Sequence, residues 1–189
     1  MKKLYVDFDN TIVDTVGKIV SLYNEDHKYY RWFEPVRACD INTYDFQELK
    51  LESFEEISKY FNQPRFFENL EWMDNAEEVL EELSKQYEIK VVSIGTYENL
   101  VGKGLWILKN MPYADFQPIL VNAHESKRFK DMRDGYLIDD KYDNLTGHNT
   151  YKSICFGDVY SWNEQWTGVR CHNWYDVKRF LREEDSRSD

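Results

Sequence analysis

Near the start of the chain, the apolar residues Leu4, Tyr5 and Val6 run straight into two carboxylates, Asp7 and Asp9, set one residue apart. Asn10, Thr11 and the aliphatic pair Ile12 and Val13 follow. A short, β-rich apolar run of this kind fits a strand buried on both faces of a parallel sheet. Asp7 then stands at the strand's carboxyl end, where open α/β sheets hold their ligands. Side chains alternate along a strand, so Asp7 and Asp9 share a face if the extended backbone continues. Two like charges so close repel unless a cation or a shared proton offsets them. A pair placed directly behind a buried strand therefore points to chemistry rather than to a solvated turn.

The rest of the chain alternates strands with helices, which implies a doubly wound parallel sheet. Further strands are expected at residues 89–96, 118–121, 135–140 and 152–156, five in all with the first. Helical spacing covers residues 15–30 through Val16, Ile19, Val20 and Tyr23, and residues 98–109 through Leu100, Val101, Leu105 and Leu108. Another helix begins near Asp74 or Asn75 and runs through Ala76, Val79, Leu80 and Leu83, and a last one covers residues 174–181. Residues 45–51 and 53–61 read as two short helices, the second led by Ser53 as N-cap with Glu56 three residues on. Pro35 and Pro64 act as breakers. The first strand is thus followed by roughly 60 residues of helical and aromatic chain, too many for an ordinary crossover. That stretch, residues 15–72, is expected to be an inserted helical cap on an α/β core of residues 1–14 and 73–189. At 189 residues the chain has length for such a core and one small insert. The charged tail, residues 182–189, is expected to fray.

The first stretch resembles motif I of the haloacid dehalogenase (HAD) superfamily, Asp-x-Asp-x-Thr followed by an aliphatic residue. The resemblance implies a Rossmann-like core with a helical cap after the first strand, Asp7 as nucleophile and Asp9 as general acid/base. A second Asp followed by Thr is typical of the superfamily's phosphatases. Residues 89–96 resemble motif II, which ends in a phosphate-binding hydroxyl: Ser93, with Thr96 as the nearby alternative. Motif III is a single lysine, Lys127 in the run His124 to Phe129, with Lys130 as runner-up. Residues 135–140 resemble motif IV, whose acids bind Mg²⁺, here Asp139 and Asp140. The implied Mg²⁺ ligands are Asp7, the backbone carbonyl of Asp9, and Asp139 or Asp140, with water completing the shell. With its ordinary pKa of ~3.9, Asp7 is expected to be ionised at neutral pH without help.

Within the superfamily, residues 3–176 are similar to the 5'(3')-deoxyribonucleotidase family. The likeness rests on Phe66-Phe67-Glu68-Asn69-Leu70-Glu71, on Leu137-Ile138-Asp139-Asp140-Lys141, and on Cys171-His172-Asn173 after a Trp-rich stretch. Ile94-Gly95 stands where the family tends to have Ser-Pro, and the spacing from Lys127 or Lys130 to Asp139 departs by a couple of residues. The likeness implies a Mg²⁺-dependent phosphomonoesterase acting on (deoxy)nucleoside 5'- or 3'-monophosphates. Phe66, Phe67 and Trp72 are candidates for stacking a base, with Trp106 bordering the site from the core, because aromatic faces hold bases without demanding one hydrogen-bond pattern. Each ring could equally pack cap on core. Two other readings stay open: a HAD phosphatase for sugar phosphates or other small metabolites, and a non-catalytic nucleotide-binding protein on the same fold.

Charge and composition narrow the partners. A net charge of −11 repels duplex nucleic acid, yet a metal and a few lysines can reverse the field locally for a small phosphorylated ligand. No run approaches the ~20 apolar residues of a membrane span, and Met-Lys-Lys leading into a strand does not read as a signal peptide. Cys39, Cys155 and Cys171 lack metal spacing and are odd in number, which suits a reducing cytoplasm. His27, His124, His148 and His172 have no metal-ligand partner three or four residues away and are expected on the surface or in the core. A homodimer is left open.

Overall fold

The computed structural model describes residues 1–115, 117–147 and 149–187; His148 and the final two residues of the charged tail lie outside them. The apolar run at the start forms β1 (Lys3–Val6), whose Leu4, Tyr5 and Val6 are all buried. Burial on both faces puts β1 inside a sheet. It pairs with β2 (Glu88–Gly95) on one side and β4 (Met132–Asp139) on the other, both parallel. Outward from these lie β3 (Ile119–Asn122) beside β2, then β5 (Thr150–Phe156) and β6 (Val169–Cys171) beyond β4, all parallel. The order β3-β2-β1-β4-β5-β6 reverses direction between β1 and β4. That reversal opens a crevice at the carboxyl ends of those two strands. Asp7 and Asp139 both stand there, and the Asp7 amide donates to the Ile138 carbonyl at 2.9 Å.

Helices cover the sheet: α4 (Ala76–Leu83), α5 (Tyr97–Asn110), the single turn α6 (Tyr142–Leu145) and α7 (Trp174–Ser186). Between β1 and α4 lie α1 (Thr15–His27), α2 (Phe54–Ser58) and α3 (Pro64–Phe67). α1 starts where Asp14 accepts from the Gly17 amide at 2.8 Å. A Cβ on Gly17 would lie 2.1 Å from the Asp14 carboxylate, so this cap requires glycine there.

Several local expectations are corrected. Residues 45–51 are turns rather than a helix: Glu48 accepts from the amides of Asn42 and Thr43 at 2.9 and 3.1 Å, and Phe46 takes a left-handed φ of 54°. The helix led by Ser53 stops at Ser58, and a tighter turn spans Tyr60–Asn62. Pro64 begins α3 instead of breaking a helix, since the first turn needs no amide from it. In the aromatic stretch that follows, Phe66 and Leu70 are buried and Phe67, Trp72 and Met73 are half-buried. β6 and α6 were not expected; three and four residues carry too little periodicity to read. The tail is helical to Ser186, held where Arg182 and Lys178 reach Glu82 and Tyr87 donates to Asp185. All three cysteines are free, and Cys155 and Cys171 are buried. Among the described residues no helix is long and apolar enough to cross a membrane.

Candidate active site

The crevice collects the acids of the two strand ends. Asp7, Asp139 and Asp140 are all buried, and each offers an oxygen within 4.8 Å of the others. Lys127, with only 1% of its side chain exposed, donates to Asp7 Oδ1 at 2.5 Å and to Asp139 Oδ2 at 2.6 Å. Lys127 sits in a short turn, Lys127–Phe129, whose end is fixed by Asn149 donating to the carbonyls of Lys127 and Lys130 at 2.9 and 2.6 Å. Lys130 itself points away and pairs with Glu125 at 3.0 Å.

Asp139 and Asp140 differ in their surroundings. Asp139 is saturated: besides Lys127 it accepts from the Lys141 amide at 2.9 Å and from Asn144 Nδ2 at 3.0 and 3.1 Å. Asp140 lines the cavity, and among the described residues only its Oδ2 is engaged, by Trp162 Nε1 at 3.0 Å and Asn10 Nδ2 at 3.4 Å. Asn10 turns the chain after Asp9 in the left-handed region, φ 51°, a conformation asparagine tolerates.

One ammonium stands against three buried carboxylates, which leaves the pocket short of positive charge. Burial, and then the Asp139 charge, push the Asp7 carboxyl up to about 7 against the pull of Lys127. Asp140 is raised well above the usual carboxylate range, by burial first and then by Asp7 and Asp139. Lys127 is pulled down by burial, but the charges of Asp139 and Asp7 more than offset that and raise it overall. Against the expectation that Asp7 is ionised at neutral pH without help, burial and its acidic neighbours raise its carboxyl well above the ordinary value. A set of hard oxygen donors with excess negative charge fits Mg²⁺.

Asp9 is held separately. Thr15 Oγ1 donates to its Oδ1 at 2.8 Å, and Lys103 Nζ meets its Oδ2. Lys103 is buried on α5 and also donates to Ser93 Oγ and to the Ile94 carbonyl, both at 2.9 Å. Ser93, two residues before the end of β2, is buried beside this lysine. Thr96 caps α5, accepting from the Asn99 amide at 3.4 Å, and donates to Asn62 Oδ1 at 2.6 Å. Asn99 adds a bond to the Phe61 carbonyl at 2.8 Å. Lys103 escaped the sequence reading. The signal was present: it shares a helical face with Asn99, Trp106 and Ile107, the buried side of α5.

Above the acids opens a cavity of about 440 Å³. Its other wall is aromatic: Tyr44, Phe46, Phe54 and Phe61 from residues 15–72, and Trp162 from the core. Phe66, Phe67 and Trp72, the candidates for stacking a base, do not line this cavity. Phe66 is fully buried against Phe61 and Phe67 at centroid distances of 5.6 and 5.0 Å. Phe67 lies over Gly102 of α5, where a Cβ would come within 2.1 Å of its ring. Trp72 packs on Trp106 at 4.8 Å, and Trp106 on Phe8 at 5.3 Å, so Trp106 supports the core rather than bordering the cavity. Tyr160 stacks on Trp162 at 4.5 Å, and Lys141 Nζ lies 3.6 Å from the Tyr44 ring centre, a cation–π contact across the mouth.

The chain is similar to known proteins over nearly its whole length. Residues 1–184 match the family described as 5' nucleotidase, deoxy (pyrimidine), cytosolic type C protein. A 5'(3')-deoxyribonucleotidase of Clostridium acetobutylicum is 30% identical over 175 residues, 93% of this chain and 92% of that protein. One from Bacillus subtilis is 28% identical over 154 residues, 75% of this chain and 86% of that one. Among solved structures, a predicted phosphatase from C. acetobutylicum superposes with a TM-score of 0.64 at 15% identity, covering 97% of this chain and 99% of that one. A HAD-superfamily hydrolase from Ehrlichia chaffeensis does so at 0.59 and 15% identity, covering 97% and 98%. At that identity the structures speak for the fold alone, but the family match spans nearly the whole chain. The protein thus belongs to the type C 5'-nucleotidase family, on the HAD-like α/β fold, and is a hydrolase of the phosphoric monoester class.

Proposed function

We propose that this chain hydrolyses the phosphomonoester of (deoxy)nucleoside monophosphates, forming an aspartyl-phosphate on Asp7. The observation that carries the reading is one cavity with Asp7, Asp9 and Lys127 at its floor and five aromatic rings on its other walls. Asp7, Asp140 and the backbone carbonyl of Asp9 would hold Mg²⁺, while the saturated Asp139 fixes Lys127. Once bound, the cation supplies the positive charge that keeps Asp7 ionised and offsets charge on the phosphoryl oxygens.

Asp7 attacks phosphorus, and the bond to the leaving oxygen breaks as Asp9 gives that oxygen a proton. Water then attacks the aspartyl-phosphate while Asp9 takes its proton, which returns Asp7 and releases phosphate. Lys127 faces the equatorial oxygens, and Ser93, held by Lys103, stands behind them. Residues 15–72 act as the cap. Tyr44, Phe54 and Phe61 offer faces to a base, and a phenyl or pentose ring could use them only in part.

Phosphate release from a panel of deoxy- and ribonucleoside 5'- and 3'-monophosphates, hexose phosphates and p-nitrophenyl phosphate tests this. Nucleotides should turn over best, and both EDTA and Asp7→Asn should abolish release from every substrate. Strong preference for hexose phosphates would retire the nucleotidase reading. Full turnover by metal-stripped protein would retire the mechanism.

A further inference from the structure

Among the described residues, Trp162 is the one ring of the aromatic wall that bonds to an acid of the floor. Its Nε1 donates to Asp140 Oδ2 at 3.0 Å, while the indole lines the cavity. The other donor to that oxygen, Asn10 Nδ2, stands at 3.4 Å, beyond the usual range. Asp139 is held differently, by Lys127 and by its near neighbours in the chain, Lys141 and Asn144. The main donor to Asp140 comes instead from 22 residues further on, in the loop between β5 and β6.

That loop holds the indole from several sides. Asn163, fully buried, donates to the carbonyls of Asp140 and Asp158 at 3.0 and 3.2 Å and accepts from the Tyr160 amide at 3.0 Å. Arg170 of β6 reaches the carbonyls of Gly157, Asp158 and Asn163 at 3.2, 3.0 and 2.9 Å. The Trp162 carbonyl accepts from the Tyr142 amide at 3.0 Å, and Tyr160 lies nearly parallel to the indole, at 3°. The ring is left little freedom to turn Nε1 away from Asp140. The loop also meets residues 15–72: the Ser161 amide donates to the Asn42 carbonyl at 3.3 Å, and the Tyr44 ring stands edge-on to the indole at 6.5 Å.

We propose that Trp162 is a positioning residue for the cation: by fixing Oδ2 of Asp140 it sets that carboxylate so that Oδ1 is left to Mg²⁺. The inference rests on the reading of Asp140 as a Mg²⁺ ligand. A donor on the far oxygen of a ligating carboxylate fixes its rotation before the ion arrives, so less freedom is lost on binding. The indole also forms wall of the leaving-group cavity. Its two roles fall to different atoms. The Nε1–H serves the cation, and the ring surface serves the organic part of the substrate.

Calorimetric titration of MgCl₂ into the metal-stripped full chain, with no substrate present, tests it. Trp162→Phe keeps a ring beside Tyr160 and removes the donor. Its Mg²⁺ dissociation constant should rise about 10- to 100-fold over wild type, the range for contacts that support a metal ligand. Its turnover of a nucleoside monophosphate should return to within about twofold of wild type at saturating Mg²⁺, a recovery that general structural damage would not show. Trp162→Ala removes donor and ring together, so a KM for nucleotides raised roughly tenfold should persist at saturating Mg²⁺. Tyr44→Ala, which loses a ring of the same wall but no bond to Asp140, should keep the Mg²⁺ affinity of wild type. Equal Mg²⁺ affinity in wild type and Trp162→Phe overturns the positioning role and leaves the metal reading standing. Weakened affinity with turnover that saturating Mg²⁺ fails to restore also overturns it, and makes the indole a structural residue. A wild type that binds no Mg²⁺ overturns the metal reading, and this proposal with it.

Discussion

Replacing Lys103 by methionine keeps the length of a fully buried side chain and removes its charge. Three partners lose a donor: Asp9 Oδ2, Ser93 Oγ and the Ile94 carbonyl. Asp9 keeps Thr15 and is 24% exposed at its side chain, so water can take the vacated place on that carboxylate. The two neutral partners cost about 1 kcal/mol each. At ~2–4 °C per kcal/mol for a chain of this size, the melting temperature should fall by roughly 4–8 °C, well short of unfolding. The larger effect falls on catalysis. A positioned general acid contributes about 10²–10⁴, and Lys103 supplies one of the two side-chain contacts that orient this one. Turnover of a nucleoside monophosphate, whose alkoxide must be protonated to leave, should drop by about 10- to 100-fold. Nitrophenolate leaves without a proton, so p-nitrophenyl phosphate should lose less than about threefold on the same argument. Steady-state kinetics on both substrates, beside a melting curve, decide the matter. Equal losses on the two would refute the positioning role and leave Lys103 a phosphate ligand or a structural residue.

Two other outcomes follow from the site. Asp7 binds a proton more tightly folded, at about 7, than its ordinary carboxyl value, so between about pH 4 and 7 the folded state holds the extra proton. Its contribution is present at the acid end of that window and lost as pH rises through the folded value. Metal-free wild type should therefore lose melting temperature relative to Asp7→Asn as pH is raised from 5 to 8, and saturating Mg²⁺ should remove the difference; a gap that widens toward acid contradicts the assignment. Truncating the aromatic rings should separate into two kinds. Tyr44→Ala or Phe54→Ala should raise KM for nucleotides by roughly tenfold with little change in melting. Phe66→Ala should cost about 3–5 kcal/mol of stability and affect nucleotide and aryl phosphate alike.

The chemistry was more legible in this chain than its binding surface. A strand buried on both faces leaves an unbroken apolar run, and acids directly after it can hardly be anything but a strand end, so Asp7, Asp9, Asp139 and Asp140 stand out. Lys127 was legible only through the family pattern, since nothing local marks a lysine whose two partners lie 12 and 120 residues away. The aromatic wall was harder to read for a different reason. Phe66, Phe67 and Trp72 sit in a dense aromatic run, but density signals packing as readily as exposure. Which face of a four-residue helix meets the core is set by tertiary contacts, here Phe61 and Gly102. Tyr44 and Phe46, which do line the cavity, lie in turns shaped by Glu48 and a left-handed residue, with no periodicity to read.

The aromatic wall and the acidic floor come from separate stretches of chain. Four of the five rings lie within residues 44–61, while every acid and both buried lysines belong to residues 7–9 or to residues beyond 100. Much of what ties the wall to α5 is polar and small: Thr96 to Asn62, and Asn99 to the Phe61 carbonyl. Mutation can therefore reshape the leaving-group pocket one ring at a time without disturbing a buried charge. Such a layout lets lineages drift in which phosphomonoester they prefer while the hydrolytic apparatus is inherited unchanged, and it makes residues 44–61 the natural stretch to diversify when a new preference is wanted.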